Sequence, residues 1–389
     1  MKILVNLNTL TADGIMILWL KKFQELAKKG HFLDIFYHHQ FHSFDLTTEN
    51  IYQFHQKYIK PNPPPIIRSK IKFIFYSIYC NFRSFLKTHQ TKNYDLIYTP
   101  SSVLDLVIWP FIITKKYSHL AWATVFDNIV PKKDPGNPII RFLAWLFFEI
   151  SLFFIKQADI IFAISPDLKD FLISRGFDPK KIIITGNGVE TDMIKAAKPK
   201  PKYALDGLFI GRINETKGIF DMLLVLKTIT KTYPDFKLGI MGRGDQATET
   251  KFLNQIDKLK LKQNIKLLGY ISGLKKFEII KSSKSFWFLS VSSSESFGIA
   301  LMEAVSSGVY GFVYNLPIFQ KIYQHHEVYF SPTGDIKTVA DQIVSLFKSK
   351  KFVNYNGKKL LGRYSWPKII ALEHQAITQL NKSTSIKDY

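Results

Sequence analysis

Short apolar runs alternate with helical patterns along the whole of this chain, and they fall into two separate series. The first series covers residues 3–8, 31–37, 94–99, 120–126, 159–165 and 181–185. These runs are nearly continuous in β-branched and aromatic residues, as strands covered on both faces are. Between the first two, residues 14–29 place Leu18, Trp19, Phe23 and Leu26 on one helical face. The second series covers 203–210, 237–241, 264–268, 286–291 and 310–314, with helical patterns at 218–232, 248–261, 274–282 and 298–306. Strand–helix alternation predicts parallel sheets with helices on both sides. The expected fold class is α/β, with two doubly wound domains facing a cleft. Ligands of such sheets bind outside the carboxyl ends of the strands.

The expected domains are 1–195 and 203–365, with a C-terminal helix over 366–389 packing back on the first. Residues 196–202, basic and rich in proline, read as the linker between them. The remaining arithmetic mostly excludes. A chain of 389 residues that is 46% hydrophobic and 22% charged is not disordered. Cys80 is the only cysteine, so neither an intrachain disulfide nor a cysteine-based zinc site can form. The N-terminus reads as a strand followed by Asp13-Gly14, which predicts no signal peptide. The most apolar run, 142–155, carries Glu149 and falls short of the ~20 residues of a spanning helix. It is expected to be a buried helix.

Net charge is +22 and is spread along the chain. Residues 1–200 carry +10, from 26 basic and 16 acidic residues, and the rest carry +12, from 27 and 15. Such a surface suits polyanions, whether nucleic acid, anionic lipid or phosphorylated ligands. An AT-rich genome would inflate lysine equally well. The cations are dispersed, which argues against nucleic acid as a partner.

Three stretches carry chemistry. Gly211-Arg-Ile-Asn-Glu-Thr-Lys-Gly218 joins a strand to a helix. A helix N-terminus offers free N–H groups to an anion, and Arg212 and Lys217, five apart, can both reach one phosphate group. The plain alternative is two solvated cations in a lysine-rich chain. Met241-Gly-Arg-Gly-Asp245 marks a tight turn and lacks the full dinucleotide fingerprint. In the stretch 294–308, Glu295 stands just before a helix that begins near Phe297-Gly298. Glu303 lies inside an apolar stretch, where a lone carboxylate is costly unless it has hydrogen-bond partners. Acceptors so placed suit hydroxyl-rich ligands such as a ribose or a hexose. The alternatives are a helix-start acid at Glu295 and a structural ion pair at Glu303.

Taken together, Gly211-Arg212, Lys217-Gly218, the turn 241–245, and Glu295-Ser-Phe-Gly-x4-Glu303 with Ser307-Gly308 resemble the retaining glycosyltransferases of family four, also called glycosyl transferase group 1. Asp13-Gly14, the stretch 158–165, Gly186-Asn-Gly-Val189 and Tyr364-Ser-Trp366 are similar to further landmarks of that family. The resemblance implies the GT-B fold of two Rossmann-like domains and transfer of a hexose from a nucleotide-diphosphate sugar to a saccharide or lipid-linked acceptor. It implies that Arg212 and Lys217 hold the donor pyrophosphate, that Glu303 binds the ribose and that Glu295 binds the transferred sugar. Phe297 and Gly298 would meet the sugar or distal phosphate through their backbone. Gly269, Tyr270 and Ile271 would contact the base, Gly211 would begin the phosphate loop, and Gly14 would close over the phosphates. No cofactor and no metal are expected, and no Asp-x-Asp metal motif is evident.

In such families a His-Asp pair often ends a strand of the first domain. Here Asp127 matches and Phe126 stands where the histidine is expected. Phenylalanine cannot move a proton, so either that role is not needed, or Asp127 or Asn128 covers part of it, or activity is impaired. Asp127, whose plain alternative is a turn or cap residue, joins Arg212, Lys217 and Glu295 as the candidate catalytic set. Phe126 also keeps open a non-catalytic sugar-nucleotide or glycan-binding protein. On the acceptor side, the basic and aromatic stretch 66–90, preceded by Pro61-Asn-Pro-Pro-Pro65, is either a helix in an anionic membrane interface or one buried on the sheet. The expected location is cytoplasmic, with peripheral attachment to the inner face of the cell membrane left open.

Overall fold

The computed structural model describes residues 1–7, 15–37, 93–132, 138–292 and 295–384. They form two six-stranded sheets, parallel throughout. The first has the order β2-β1-β3-β4-β5-β6, from β1 (Lys2–Leu7), β2 (Phe32–Tyr37), β3 (Leu96–Thr99), β4 (Ala121–Phe126), β5 (Ile160–Ala163) and β6 (Ile182–Ile184). The second has the order β12-β11-β10-β7-β8-β9, from β7 (Leu205–Ile210), β8 (Leu238–Met241), β9 (Ile265–Gly269), β10 (Ser283–Phe288), β11 (Tyr310–Tyr314) and β12 (Val328–Ser331). This is the α/β class that the alternating runs predict.

The strand sequences explain their positions. β3, β4, β5 and β8 are buried at every residue, because helices cover both faces of a parallel sheet. β12 escapes sequence reading: only four residues long, it pairs at one edge, and its middle residues are half-exposed. β10 begins three residues before the apolar run, at Ser283. Its polar start is buried because Ser285 Oγ donates to Asp206 O at 2.7 Å and Trp287 Nε1 donates to Ser285 Oγ at 2.9 Å.

Two expectations change. Residues 196–202 do not hang free as a linker. Ala197 is buried, its carbonyl accepts from Lys281 Nζ at 2.9 Å, and Lys200 N donates to Ser282 Oγ at 2.8 Å. The prolines end the helix Thr191–Ala196 and lay the chain along the second unit. Among the described residues, that unit holds Val189–Ser365, and the first holds those through Gly188 and from Trp366 onward. The apolar run 142–155 does form a helix, Pro138–Ile155, but not a buried one. Phe148, Leu152 and Ile155 face inward, whereas Phe142 and Phe153 are exposed. The stretches 61–65 and 66–90 lie outside the described residues.

The helix Trp366–Thr384 packs on the first unit, against the helix Ile15–Lys28. Gly188 is required by the close approach of Trp366, whose ring would lie 2.2 Å from any added Cβ. The helix also delivers a carboxylate to a buried cation. Lys22 Nζ lies 2.6 Å from Glu373 Oε1 and donates to Tyr98 Oη at 3.1 Å, while Tyr98 Oη donates to Glu373 Oε2 at 2.8 Å. Burial, and then the Glu373 charge, push the Tyr98 hydroxyl well above its ordinary pKa. Removing one member of such a pair strands the other charge in a dry environment. Glu373→Ala is therefore expected to destabilise the chain by about 3 kcal/mol or more in chemical denaturation, and Lys22→Met with Glu373→Leu by much less. Equal losses in the two variants would contradict this account.

Candidate functional site

In the second sheet the strand order reverses between β7 and β10. Loops leaving the carboxyl ends of strands on either side of such a reversal diverge and open a crevice. After β7, Asn214 caps a tight turn, its side chain accepting from Thr216 N at 2.9 Å. Gly218 then turns with φ +69°, and a Cβ there would lie 1.8 Å from Leu289 O. Only glycine allows both the angle and the approach.

The β7 loop is stitched to the segment after β10. Thr216 O accepts from Val291 N at 3.0 Å, and Ser290 Oγ lies 3.1 Å from the same oxygen. Above this seam Lys217 Nζ donates to Glu295 Oε2 at 2.6 Å, and Ser290 Oγ stands 3.0 Å from that carboxylate oxygen. Glu295 is the more buried of the pair, and Lys217 also lies 5.4 Å from the Phe288 ring centroid. A phosphate-sized anion can compete for Lys217, which frees Glu295 to accept from hydroxyls. The structure thus brings together two of the residues that the sequence selects, 78 apart. Arg212 is exposed and makes no hydrogen bond or ion pair with another described residue.

Glu295 leads into Phe297, which is buried edge-on against Tyr364, and Gly298, with φ +70°. Gly298 starts the helix Ile299–Ser306, which carries Glu303. Glu303 is buried at 3% exposure, and Lys276 Nζ donates to its Oε1 at 2.6 Å. Lys276 comes from the helix Gly273–Lys281, which follows Tyr270 and Ile271. Tyr270 is exposed and Ile271 half-buried. Sequence reading missed Lys276. A carboxylate inside an apolar stretch signals that a cation is needed, but 53 lysines and arginines give no means of choosing one. Ser290 was not among the candidate residues.

The turn 241–245 has a structural explanation. Gly211 N donates to Met241 O at 3.0 Å and Ile213 N to Arg243 O at 2.9 Å. A Cβ at Gly242 would lie 1.8 Å from Gly211 O, and one at Gly244 would lie 2.3 Å from Ile213 O. The two glycines let the β7 and β8 loops touch, which holds Gly211 and the chain after it in place. Asp245 caps the next helix, accepting from Thr248 N at 2.9 Å.

In the first unit Asp127 follows β4. Ser101 Oγ, just past the neighbouring β3, donates to Asp127 Oδ1 at 3.0 Å. Burial pushes the Asp127 carboxyl up to about 6, against the opposing effects of the Ser101 hydrogen bond and the Lys22 charge. Phe126 is fully buried, stacked on Phe171 at 6.0 Å and near Phe148 at 6.2 Å. The position where the resemblance expects histidine is therefore core. Gly14 lies outside the described residues. Among the described residues no group of three His, Cys, Asp or Glu could hold a metal ion.

The two doubly wound parallel sheets match the GT-B fold. Sucrose-phosphate synthase from Thermosynechococcus elongatus superposes with TM-score 0.79 at 16% identity, covering 98% of this chain and 99% of that one. Anabaena Alr3699/HepE, solved in complex with UDP, superposes with TM-score 0.73 at 14% identity, covering 98% and 100%. Two family descriptions match the sequence: Glycosyltransferase Family 4 over residues 22–193 and Glycosyl transferases group 1 over 190–359. The chain belongs to this glycosyltransferase family. A phosphatidyl-myo-inositol mannosyltransferase of Mycobacterium leprae is 30% identical over 189 residues, 46% of this chain and 49% of that protein. The aligned part thus spans about half the length of that relative.

The Asp127 carboxyl yields a signed prediction. The unfolded chain releases this proton near pH 4, whereas the folded chain holds it to about pH 6. The folded state binds more protons in that window, so this group's contribution to stability falls as pH rises through it. Relative to Asp127→Asn, the parent chain is expected to lose stability from about pH 4 to about pH 6 and to run parallel above. Urea unfolding of both chains across this range checks it; a constant difference would contradict the assignment.

Proposed function

We propose that this chain is a hexosyltransferase, moving a hexose from a nucleotide-diphosphate sugar to a saccharide or lipid-linked acceptor, with retained anomeric configuration and without a metal ion. The observation that carries the reading is the Lys217–Glu295 pair at the strand-order reversal, with buried Glu303 on the helix that follows. Breaking a sugar–phosphate bond leaves negative charge on the departing diphosphate. Lys217 and Arg212 meet that charge, and fixed cations aimed at developing charge are worth a few kcal/mol each. Donor binding draws Lys217 from Glu295 to phosphate and turns Glu295 to the sugar hydroxyls. Glu303 accepts from the ribose, and its partner Lys276 orients it. Tyr270 and Ile271 take the base, and the N–H groups around Phe297 and Gly298 face the sugar. In a retaining reaction the leaving phosphate accepts the acceptor's proton, so the reaction proceeds with phenylalanine at position 126.

The relatives supply the donors to try. Alr3699/HepE was solved with UDP-glucose, and a relative from Xanthomonas oryzae pv. oryzae, 24% identical, is named for GDP-mannose and a diphosphopolyprenol acceptor. Nucleotide sugars are cytoplasmic metabolites, which places the reaction there. A second reading, a sugar-nucleotide or glycan-binding protein without turnover, is favoured by the burial of Phe126.

A bound donor stabilises by mass action, so thermal shift with UDP, GDP and ADP should single out one base. Lys217→Ala is expected to lower transfer by about 10²–10³-fold. Glu303→Gln, which keeps the shape beside Lys276, should weaken donor binding. Full activity in both variants would overturn the site; donor binding with no transfer to any acceptor would select the second reading.

A further inference from the structure

The helix Pro138–Ile155 turns one face to the first sheet and leaves an apolar stripe in solvent. Ile139 is 72% exposed, Phe142 48%, Ile150 37% and Phe153 68%. At 100° per residue these four fall within an arc of about 80°. The stripe continues onto the helix Leu104–Lys116, where the Phe111 ring lies 6.2 Å from that of Phe153 and Ile112 is 41% exposed.

Cations rim this surface. Lys115 Nζ stands 4.2 Å from the Phe111 ring centroid, and Lys132 Nζ stands 4.8 Å from that of Trp145; both lysines are exposed. The one acidic residue of the helix, Glu149, is paired with Arg175. No helix of the described residues is long and apolar enough to cross a membrane, and this one is apolar on only part of its outer face. An apolar stripe with basic flanks suits a helix lying in a lipid interface, its rings among acyl chains and its lysines at anionic headgroups. A second copy of this chain would bring two basic rims together at a net charge of +22 each.

We infer that the exposed stripe of Pro138–Ile155, with Phe111, Lys115 and Lys132, is a docking surface for an anionic lipid bilayer. This goes beyond the transfer reaction, and it places the membrane contact on a different segment from 66–90.

The test is cosedimentation of the full chain with vesicles of phosphatidylcholine plus phosphatidylglycerol, and with phosphatidylcholine alone. Binding should require phosphatidylglycerol and weaken as salt rises. Ile139→Ser with Phe153→Ser should lower vesicle affinity at least about tenfold, and Lys115→Gln with Lys132→Gln should lower it several-fold. All four side chains are exposed or at the rim, so far-ultraviolet circular dichroism and the nucleotide thermal shift should match the parent chain. That second readout separates failure here from failure of the donor site. Absence of binding by the parent chain, or binding that survives both double substitutions, would overturn the proposal. So would a dimer in solution that Phe153→Ser splits, because a second copy would then cover the stripe.

Discussion

β7 and β10 are hydrogen-bonded neighbours although β8 and β9 come between them in the chain. Everything at the candidate site depends on that pairing. It sets the loop after β7 beside the segment after β10, close enough for Thr216 O to accept from Val291 N. The lysine and glutamate carried by those two segments then come within reach of each other. A parallel sheet forces the arrangement, because every strand ends at the same edge and every loop of interest leaves from it. Side chains 78 positions apart become a pair because two strand ends are adjacent.

The glycines serve this geometry by letting backbones touch. Gly218 admits Leu289 O, and Gly242 admits Gly211 O. At each place a methyl group would displace a strand end and not merely crowd a side chain. The backbones of these loops are thereby held against each other by contacts within the chain. Two buried carboxylates, one in each unit, have a lysine partner. Glu303 is matched by Lys276, and Glu373 by Lys22 and Tyr98. Asp127 has a serine for a partner instead, and burial holds it toward its protonated form.

Much of the fold was legible in the residues. Strands such as 120–126 read plainly, because a strand covered on both faces needs apolar residues at each position. β12 did not, since an edge strand four residues long leaves too faint a pattern. Residues 196–202 misled because proline and lysine describe a segment's solubility, not what its backbone touches. Ala197 is held through its carbonyl, which any residue would offer. The helix Pro138–Ile155 misled in the opposite way. Its apolar content predicted burial, yet sequence cannot tell how much of a helix's circumference the sheet will cover.

The sequence by itself determined the class of the molecule and the candidate residues of its site. Periodicity and residue type are local properties, and the pattern around Arg212, Lys217, Glu295 and Glu303 is written in short stretches. Only the tertiary structure decided which charges meet: Lys217 with Glu295, Lys276 with Glu303, and neither with Arg212. It also decided that Phe126 is core and that Phe153 faces water. Pairing and exposure depend on which strands become neighbours and which faces they cover, and these distances are set across the chain, not along it.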